Sequence, residues 1–201
     1  MRKLAVTEFI SADGVIQDPH EWHFPFFDEG AGMYKHNELV QTGALVLGRT
    51  TYEGFAAAWP TRGEDMAGKL EPMPDDADGE TFFTDRFNWL PKYVVSDSLT
   101  EADTAWNNSH ILRGKGLADS LNALKQQVGG DIVIHGSGKL INSLMPLGVI
   151  DEYRLMVHPI VVGNGQRLFP DGLGSLTLDL VDTAVYEKGI VVLTYVPAKA
   201  S

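Results

Sequence analysis

The sequence predicts an α/β protein with a mixed sheet, parallel in its N-terminal part and finished by an antiparallel C-terminal hairpin. Three observations carry that reading. Strand-like apolar runs alternate with helix-like patterns from residue 2 to residue 144. From residue 150 onward strands follow one another with no helical pattern between them. Two of these late strands flank Glu187-Lys188-Gly189, a hairpin signal.

Taken in order, "RKLAVTEFI" (2–10) alternates loosely and reads as the first strand. A helix is read from about Ala31, just after Asp28 and Glu29. "GALVLGRTTYEGFAAAW" (43–59) passes from an apolar run through a glycine into a short helix, with Thr50 or Thr51 as its N-cap. "KYVVSDSL" (92–99) is a third strand. "SHILRGKGLADSLNALKQQVGG" gives a short strand, then a helix with Leu117, Leu121, Leu124 and Val128 on one face, closed by Gly129-Gly130. A further strand runs from Ile132 to Ile134. "IDEYRLMVHPIVVG" (150–163) reads as a long strand whose proline implies a bend or a sheet edge. "LTLDLVDTAVYEKGIVVLTYVP" (176–197) supplies the hairpin. Residues 60–80 are acidic and rich in proline and glycine, and read as one long exposed loop within a single domain of residues 1–201.

Composition narrows the function. The 201 residues are 44% hydrophobic, enough for one well-cored domain. No apolar run approaches the roughly 18–20 residues of a membrane span, and the N-terminus turns polar at Thr7 and Glu8, so a soluble cytoplasmic protein is expected. The absence of cysteine excludes disulfides, thiolate metal sites and cysteine nucleophiles. A net charge of −11 disfavours nucleic acid and anionic membranes as partners. A phosphate-bearing ligand must then be held by local positive charge and oriented amides. His20, His23 and His36 lack metal-ligand spacing, and Asp75-Asp76-Ala77-Asp78 lacks the glycine and glutamate of a calcium loop, so no metal is expected.

Two junctions carry the chemistry. In "DIVIHGSGKLINSL" (131–144) an apolar run empties through His135-Gly136-Ser137-Gly138 directly into a helix. Such a turn can cradle a phosphate on bare N–H groups, or it can simply turn; the residues alone leave both open. It meets only the first two glycines of the G-x-G-x-x-G dinucleotide fingerprint, with Ile141 at the third position. Gly48-Arg49-Thr50-Thr51 is a second strand-to-helix junction, with a guanidinium and two hydroxyls beside the helix start. Its plainer reading is a cap with a surface arginine. On one parallel sheet both junctions fall along the carboxyl edge, where one extended ligand with several phosphates would explain them together.

The stretches "VLGRTTYEGF", "YVVSDSL" and "IVIHGSGKLINSLMPLGVIDEYRLMVHPIVVGNGQRLF" together resemble the dihydrofolate reductase-like superfamily. Within it, the resemblance is to the reductase domain of the bifunctional riboflavin-biosynthesis deaminase-reductase and its stand-alone bacterial relatives. The deaminase half is absent: there is no H-x-E paired with P-C-x-x-C. The resemblance implies a three-layer sandwich, a homodimer, and NADPH in preference to NADH. It further implies that Gly48, Arg49, Thr50 and Thr51 hold the adenosine-side phosphates, with Ser96 near the 2′-phosphate. Gly136, Ser137, Gly138 and Lys139 would wrap the pyrophosphate and nicotinamide ribose, with Leu140 closing that turn. Ala12, Gly14 and Ile16 in "SADGVIQ" would line the nicotinamide pocket. Asp97 departs from the pattern, standing where a basic residue is common, and Arg113 and Lys115 are the candidates to restore positive charge.

For the substrate side, dihydrofolate reductases place a carboxylate on the first helix, and Asp28 is the catalytic candidate here, although its spacing is not the folate pattern. Its plainer reading is an acid favoured by the helix dipole. Trp22 and His23, in an aromatic cluster with Phe24, Phe26 and Phe27, are candidates to bind a flat heterocycle. Gln166 and Arg167 are candidates for a substrate phosphate, against a hairpin loop with a surface arginine. The expected function is hydride transfer from NADPH to a pteridine- or pyrimidine-like small molecule. The alternatives are a nucleotide-binding sensor that kept the fold without chemistry, and a genuine dihydrofolate reductase.

Overall fold

A computed structural model describes residues 1–60 and 79–198. Eight strands form one sheet in the order β4-β3-β2-β5-β1-β6-β8-β7. They are β1 (Leu4–Ser11), β2 (Thr42–Gly48), β3 (Lys92–Val95), β4 (Ser109–Leu112), β5 (Asp131–His135), β6 (Glu152–His158), β7 (Leu178–Val185) and β8 (Val191–Pro197). The helices are α1 (Glu29–Gln41), α2 (Arg49–Ala58), α3 (Gly79–Trp89), α4 (Leu117–Lys125) and α5 (Gly138–Leu144). Strands β1 to β6 pair in parallel, and β8 is antiparallel to both β6 and β7. The parallel body with an antiparallel hairpin is the architecture expected from the pattern.

The central strands read as unbroken apolar runs because both their faces are covered. Ala44, Val46, Ile132 and Ile134 pack with Leu121, Ile141 and Leu144 of α4 and α5 on one face. Leu45 and Leu47 pack on the other with Leu39, Tyr52 and Phe87 of α1, α2 and α3. The result is three layers. Each fully buried aliphatic side chain in them contributes about 1.5–3 kcal/mol.

Four sequence expectations need correction. Residues 61–78 of the expected loop lie outside the described residues, and its last two residues begin α3, a helix the pattern did not announce. The cap of α2 is Gly48, not a threonine. Helix α4 stops at Lys125, leaving Val128 fully exposed. Strand β6 ends at His158, ahead of Pro159, and lies between β1 and β8, so it is no sheet edge. The free edge of that end is β7, where Leu180, Val181 and Val185 are exposed.

Beneath the sheet's α1 face lies a buried ionic cluster. The Lys35 ammonium donates to Thr7 Oγ1 (2.9 Å) and pairs with Glu38. Arg154 donates to Glu152 (2.6 Å) and Asp131 (2.5 Å) and faces Glu38 at 3.6 Å. Burial alone would raise the Glu38 carboxyl, but Lys35, His135 and Arg154 hold it below the usual range. The cluster fixes α1 to β1, β5 and β6 and so sets the position of everything at their carboxyl ends.

Candidate functional site

Because β2 and β5 are parallel neighbours, the two glycine junctions that follow them lie side by side. They are bonded: the Gly48 N–H donates to Ser137 Oγ at 3.0 Å, across 89 residues of sequence. Gly136 and Ser137 both take positive φ, 59° and 68°, which turns the chain sharply into α5. Neither α2 nor α5 has a side-chain cap at its N-terminus. The first intrahelical bond of α5 runs from Ile141 N–H to the Ser137 carbonyl, so the amides ahead of it have no acceptor in the helix. Thr51 packs over Gly136, Thr50 and Lys139 are exposed, and Leu140 is buried in the core beneath the turn.

The next two strand ends extend this edge. Arg49 donates to Ser98 Oγ (2.9 Å) and to Glu53 (2.7 Å). Ser96 Oγ accepts from the N–H groups of Ser98 and Leu99, and its carbonyl accepts from Arg113 Nη1 at 2.7 Å. Two guanidiniums thus converge on the Ser96–Ser98 turn. The Asp97 carboxylate, the departure from the family pattern, is engaged by the Gly114 N–H (2.9 Å) in the β4–α4 connection.

On the other side, the segment after β1 folds onto the segment after β6. Ala12 N–H donates to the Ile160 carbonyl, Ile16 N–H to the Gln166 carbonyl, and Leu168 N–H to the Gly14 carbonyl. Asp13 fastens the pair, accepting from Ser11 Oγ and from the N–H groups of Val162 and Gly163. Those bonds, led by Ser11, lower its carboxyl to about 2. A Cβ at Gly138 would stand 2.6 Å from Ile16 Cδ1 and 2.7 Å from Gln166 Nε2. Glycine there is required by these covering side chains, which a larger residue would meet first. Gln166 therefore belongs with the glycine turn, whereas Arg167 reaches outward to the Asp13 carbonyl.

Asp28 is the N-cap of α1. One carboxylate oxygen accepts from Ala31 N–H (2.8 Å), the other from Lys188 N–H (3.1 Å) in the β7–β8 turn. These bonds hold its carboxyl below the ordinary value. It lines an open groove of about 390 Å³ with Glu29, Met33, Val185, Tyr186 and Glu187. A carboxylate stabilised as the anion, with both oxygens engaged, is poorly suited to relay a proton; its chemistry is that of a cap.

Trp22 and His23 are buried against the carboxyl ends of β1 and β6. His23 packs on Phe9 with ring centroids 4.8 Å apart, and Trp22 stands edge-on to His158 at 5.2 Å. Burial, then His158 and His20, lowers His23 to about 4. Phe9 and His158 are the residues that sequence reasoning missed. Both lie inside strands, where a buried ring gives no signal distinct from core packing. His135, which precedes the glycine turn, is lowered to about 3 by burial and then by Lys35.

The match to known proteins spans nearly the whole chain. The family model of the RibD C-terminal domain matches residues 2–192. The uncharacterized protein YyaP of Bacillus subtilis is 33% identical over 195 residues, 96% of this chain and 94% of its own length. The dihydrofolate reductase of Enterococcus faecalis, solved with NADP(H), superposes with a TM-score of 0.59 at 19% identity, over 98% of this chain and 97% of that one. The Thermotoga maritima diaminohydroxyphosphoribosylaminopyrimidine deaminase/5-amino-6-(5-phosphoribosylamino)uracil reductase gives a TM-score of 0.61 at 10% identity, over 98% of this chain and 57% of that one. The fold is dihydrofolate reductase-like.

Proposed function

The chain belongs to the RibD C-terminal domain family, and from that premise we propose that it is an NADPH-dependent reductase of a pteridine- or pyrimidine-like heterocycle. The observation that carries the reading is the bond joining Gly48 to Ser137. It unites two uncapped helix N-termini into one surface of unpaired amides, and the arginines at the adjoining strand ends add the positive charge that a protein of net charge −11 otherwise lacks.

The donor set fits a phosphorylated dinucleotide. The amides ahead of Ile141 would meet the diphosphate, and Arg49, Arg113 and the hydroxyls of Ser96 and Ser98 the 2′-phosphate. With Asp97 engaged by Gly114, the main objection to a 2′-phosphate is weakened. Reduced nicotinamide, when bound, supplies a hydride. Ile16 and Gln166 cover Gly138, and Trp22 and His23 would stand beside a flat ring. A homodimer and a cytoplasmic location remain part of the proposal through the family resemblance.

The test is a fluorescence titration with NADPH and NADH, followed by a screen of pteridines and pyrimidines for loss of the reduced-nicotinamide absorbance. Preferential NADPH binding and its oxidation by at least one heterocycle are expected. Failure to bind NADPH at millimolar concentration refutes the reading. One observation favours a second reading, a sensor without chemistry: the expected acid, Asp28, is committed to capping. Tight NADPH binding with no turnover across the panel would select it. The same commitment weighs against a genuine dihydrofolate reductase, so dihydrofolate is expected to be turned over poorly.

A further inference from the structure

His158 closes β6 in the same register as Ser11 of β1, at the carboxyl edge that carries the glycine turns. Its side chain is fully buried, 0% exposed, among the rings of Phe9, Trp22 and His23. Nδ1 lies 2.9 Å from the Met156 carbonyl, and the Ile10 carbonyl also acts on the ring; with Nδ1 carrying the proton for Met156, which can only accept, the neutral imidazole presents a lone pair at Nε2. That Nε2 is buried without a hydrogen-bond partner. His23, 8% exposed and with ring centroid 6.0 Å from that of His158, likewise has Nδ1 buried and unpartnered. Unmet polar atoms inside a protein are uncommon and costly, and two in one ring cluster need a reason.

We infer that His158 and His23 are the polar contacts that read the edge of the substrate ring, His158 Nε2 accepting from a ring N–H and His23 Nδ1 engaging the adjacent carbonyl. The ligand class is a planar heterocycle with an –NH–C(=O)– edge, such as a pyrimidinedione or pteridinone. This rests on the reductase reading and names the residues that replace the expected carboxylate. The aromatic neighbours supply stacking surface. Access is compatible with the bonding, because the backbone–backbone hydrogen bonds of residues 19–27 run among residues 18–27, and the wall they form meets the body through ring contacts, the Trp22 indole bond to the Gln17 carbonyl and the Lys188 ammonium bond to the Phe27 carbonyl.

The test uses the full chain with NADPH, and lumazine (a pteridinedione) and its N-methylated derivatives as probes. His158→Asn keeps a donor for the Met156 carbonyl and removes Nε2, whereas His158→Gln returns a polar group near the Nε2 position. Lumazine should bind the parent. His158→Asn should weaken it about tenfold, one decade of affinity, with His158→Gln recovering part of the loss and NADPH affinity unchanged in both. Methylating the ring nitrogen that His158 reads should cost the parent a similar factor and cost His158→Asn nothing further, the signature of a shared contact. Histidine nitrogen NMR should show Nε2 of His158 unprotonated and shifting with lumazine. Equal lumazine affinity in parent and His158→Asn, or a methylation penalty undiminished in the variant, overturns the inference. So does a parent that binds NADPH but no lumazine at millimolar concentration. A parent that fails to bind NADPH overturns the reductase reading on which the inference stands, and is told apart by that first titration.

Discussion

Removing Arg49 separates a cofactor site from a surface cap. Its guanidinium reaches Ser98 Oγ at 2.9 Å and Glu53 at 2.7 Å, and its side chain is 52% exposed. A hydrogen bond to a charged group contributes about 1.5–3 kcal/mol. Exposure and competition from Glu53 place Arg49 at the lower end, about 1.5 kcal/mol, or roughly tenfold in NADPH affinity. The loss should fall on NADPH and spare NADH, since only the former carries the 2′-phosphate near the Ser96–Ser98 turn. It should shrink in molar salt, where the Debye length is about 3 Å. Glu53→Gln should act in the opposite sense, freeing the guanidinium and tightening NADPH roughly two- to threefold. The assay is a nicotinamide fluorescence titration of parent, Arg49→Ala and Glu53→Gln with both cofactors at low and high salt. Equal losses on NADPH and NADH would move Arg49 to the phosphates that both cofactors carry, and no loss at low salt would make it a helix-surface residue; either result refutes the 2′-phosphate contact.

Three further outcomes are expected. Gly138→Val should lower both the melting temperature and NADPH affinity, because the new Cβ meets Ile16 and Gln166 before any ligand does; a stable variant with normal affinity would refute the covering contact. Arg154→Met removes the cation that Glu38, Glu152 and Asp131 share, leaving Glu38 to Lys35 and Glu152 to Lys3, a loss of about 3–5 kcal/mol or roughly 6–20 °C in Tm, read by calorimetry. The Asp13 carboxyl is lowered from 3.8 to about 2, so its contribution is complete above the unfolded value and lost as pH falls through about 2. Hydrogen exchange at the Val162 and Gly163 amides should accelerate across that window in the parent, and already be fast at neutral pH in Asp13→Ala.

The parallel sheet was legible because strands buried on both faces are continuous apolar runs ended by glycine, as in Ala44–Gly48 and Ile132–Gly136. What was illegible depended on partners distant in sequence. Helix α4 has apolar spacing through Val128, yet the Lys125 carbonyl accepts from Arg2 N–H and the Lys125 ammonium from α4 is drawn to Asp151 and the Val149 carbonyl. These bonds end the helix where the pattern would continue it. Helix α3 follows an acidic stretch and mixes aromatics with charges, and its Phe87 is buried by distant partners such as Leu45 of β2, Phe55 of α2 and Trp59 just beyond it.

The same distinction governs the site. Both glycine junctions could be read locally as strand-to-helix turns, whereas the missing cap of α2 could not, since the adjacent threonines offered themselves as caps. Their joint meaning could be read from strand order, because parallel neighbours place their exits together. The substrate side has no such local rule. Asp28 is an acid ahead of a helix whether it caps or catalyses, and only the Lys188 amide, 160 residues away, accounts for its second oxygen. His158 shows the converse: in sequence it is one ring in an apolar strand, and its interest appears only when Met156 fixes Nδ1 and nothing meets Nε2. A carboxylate with both oxygens engaged and an imidazole nitrogen with no partner are opposite solutions to the same requirement that buried or oriented polar atoms be matched. The unmatched atom marks where the chain leaves a bond for a ligand to make.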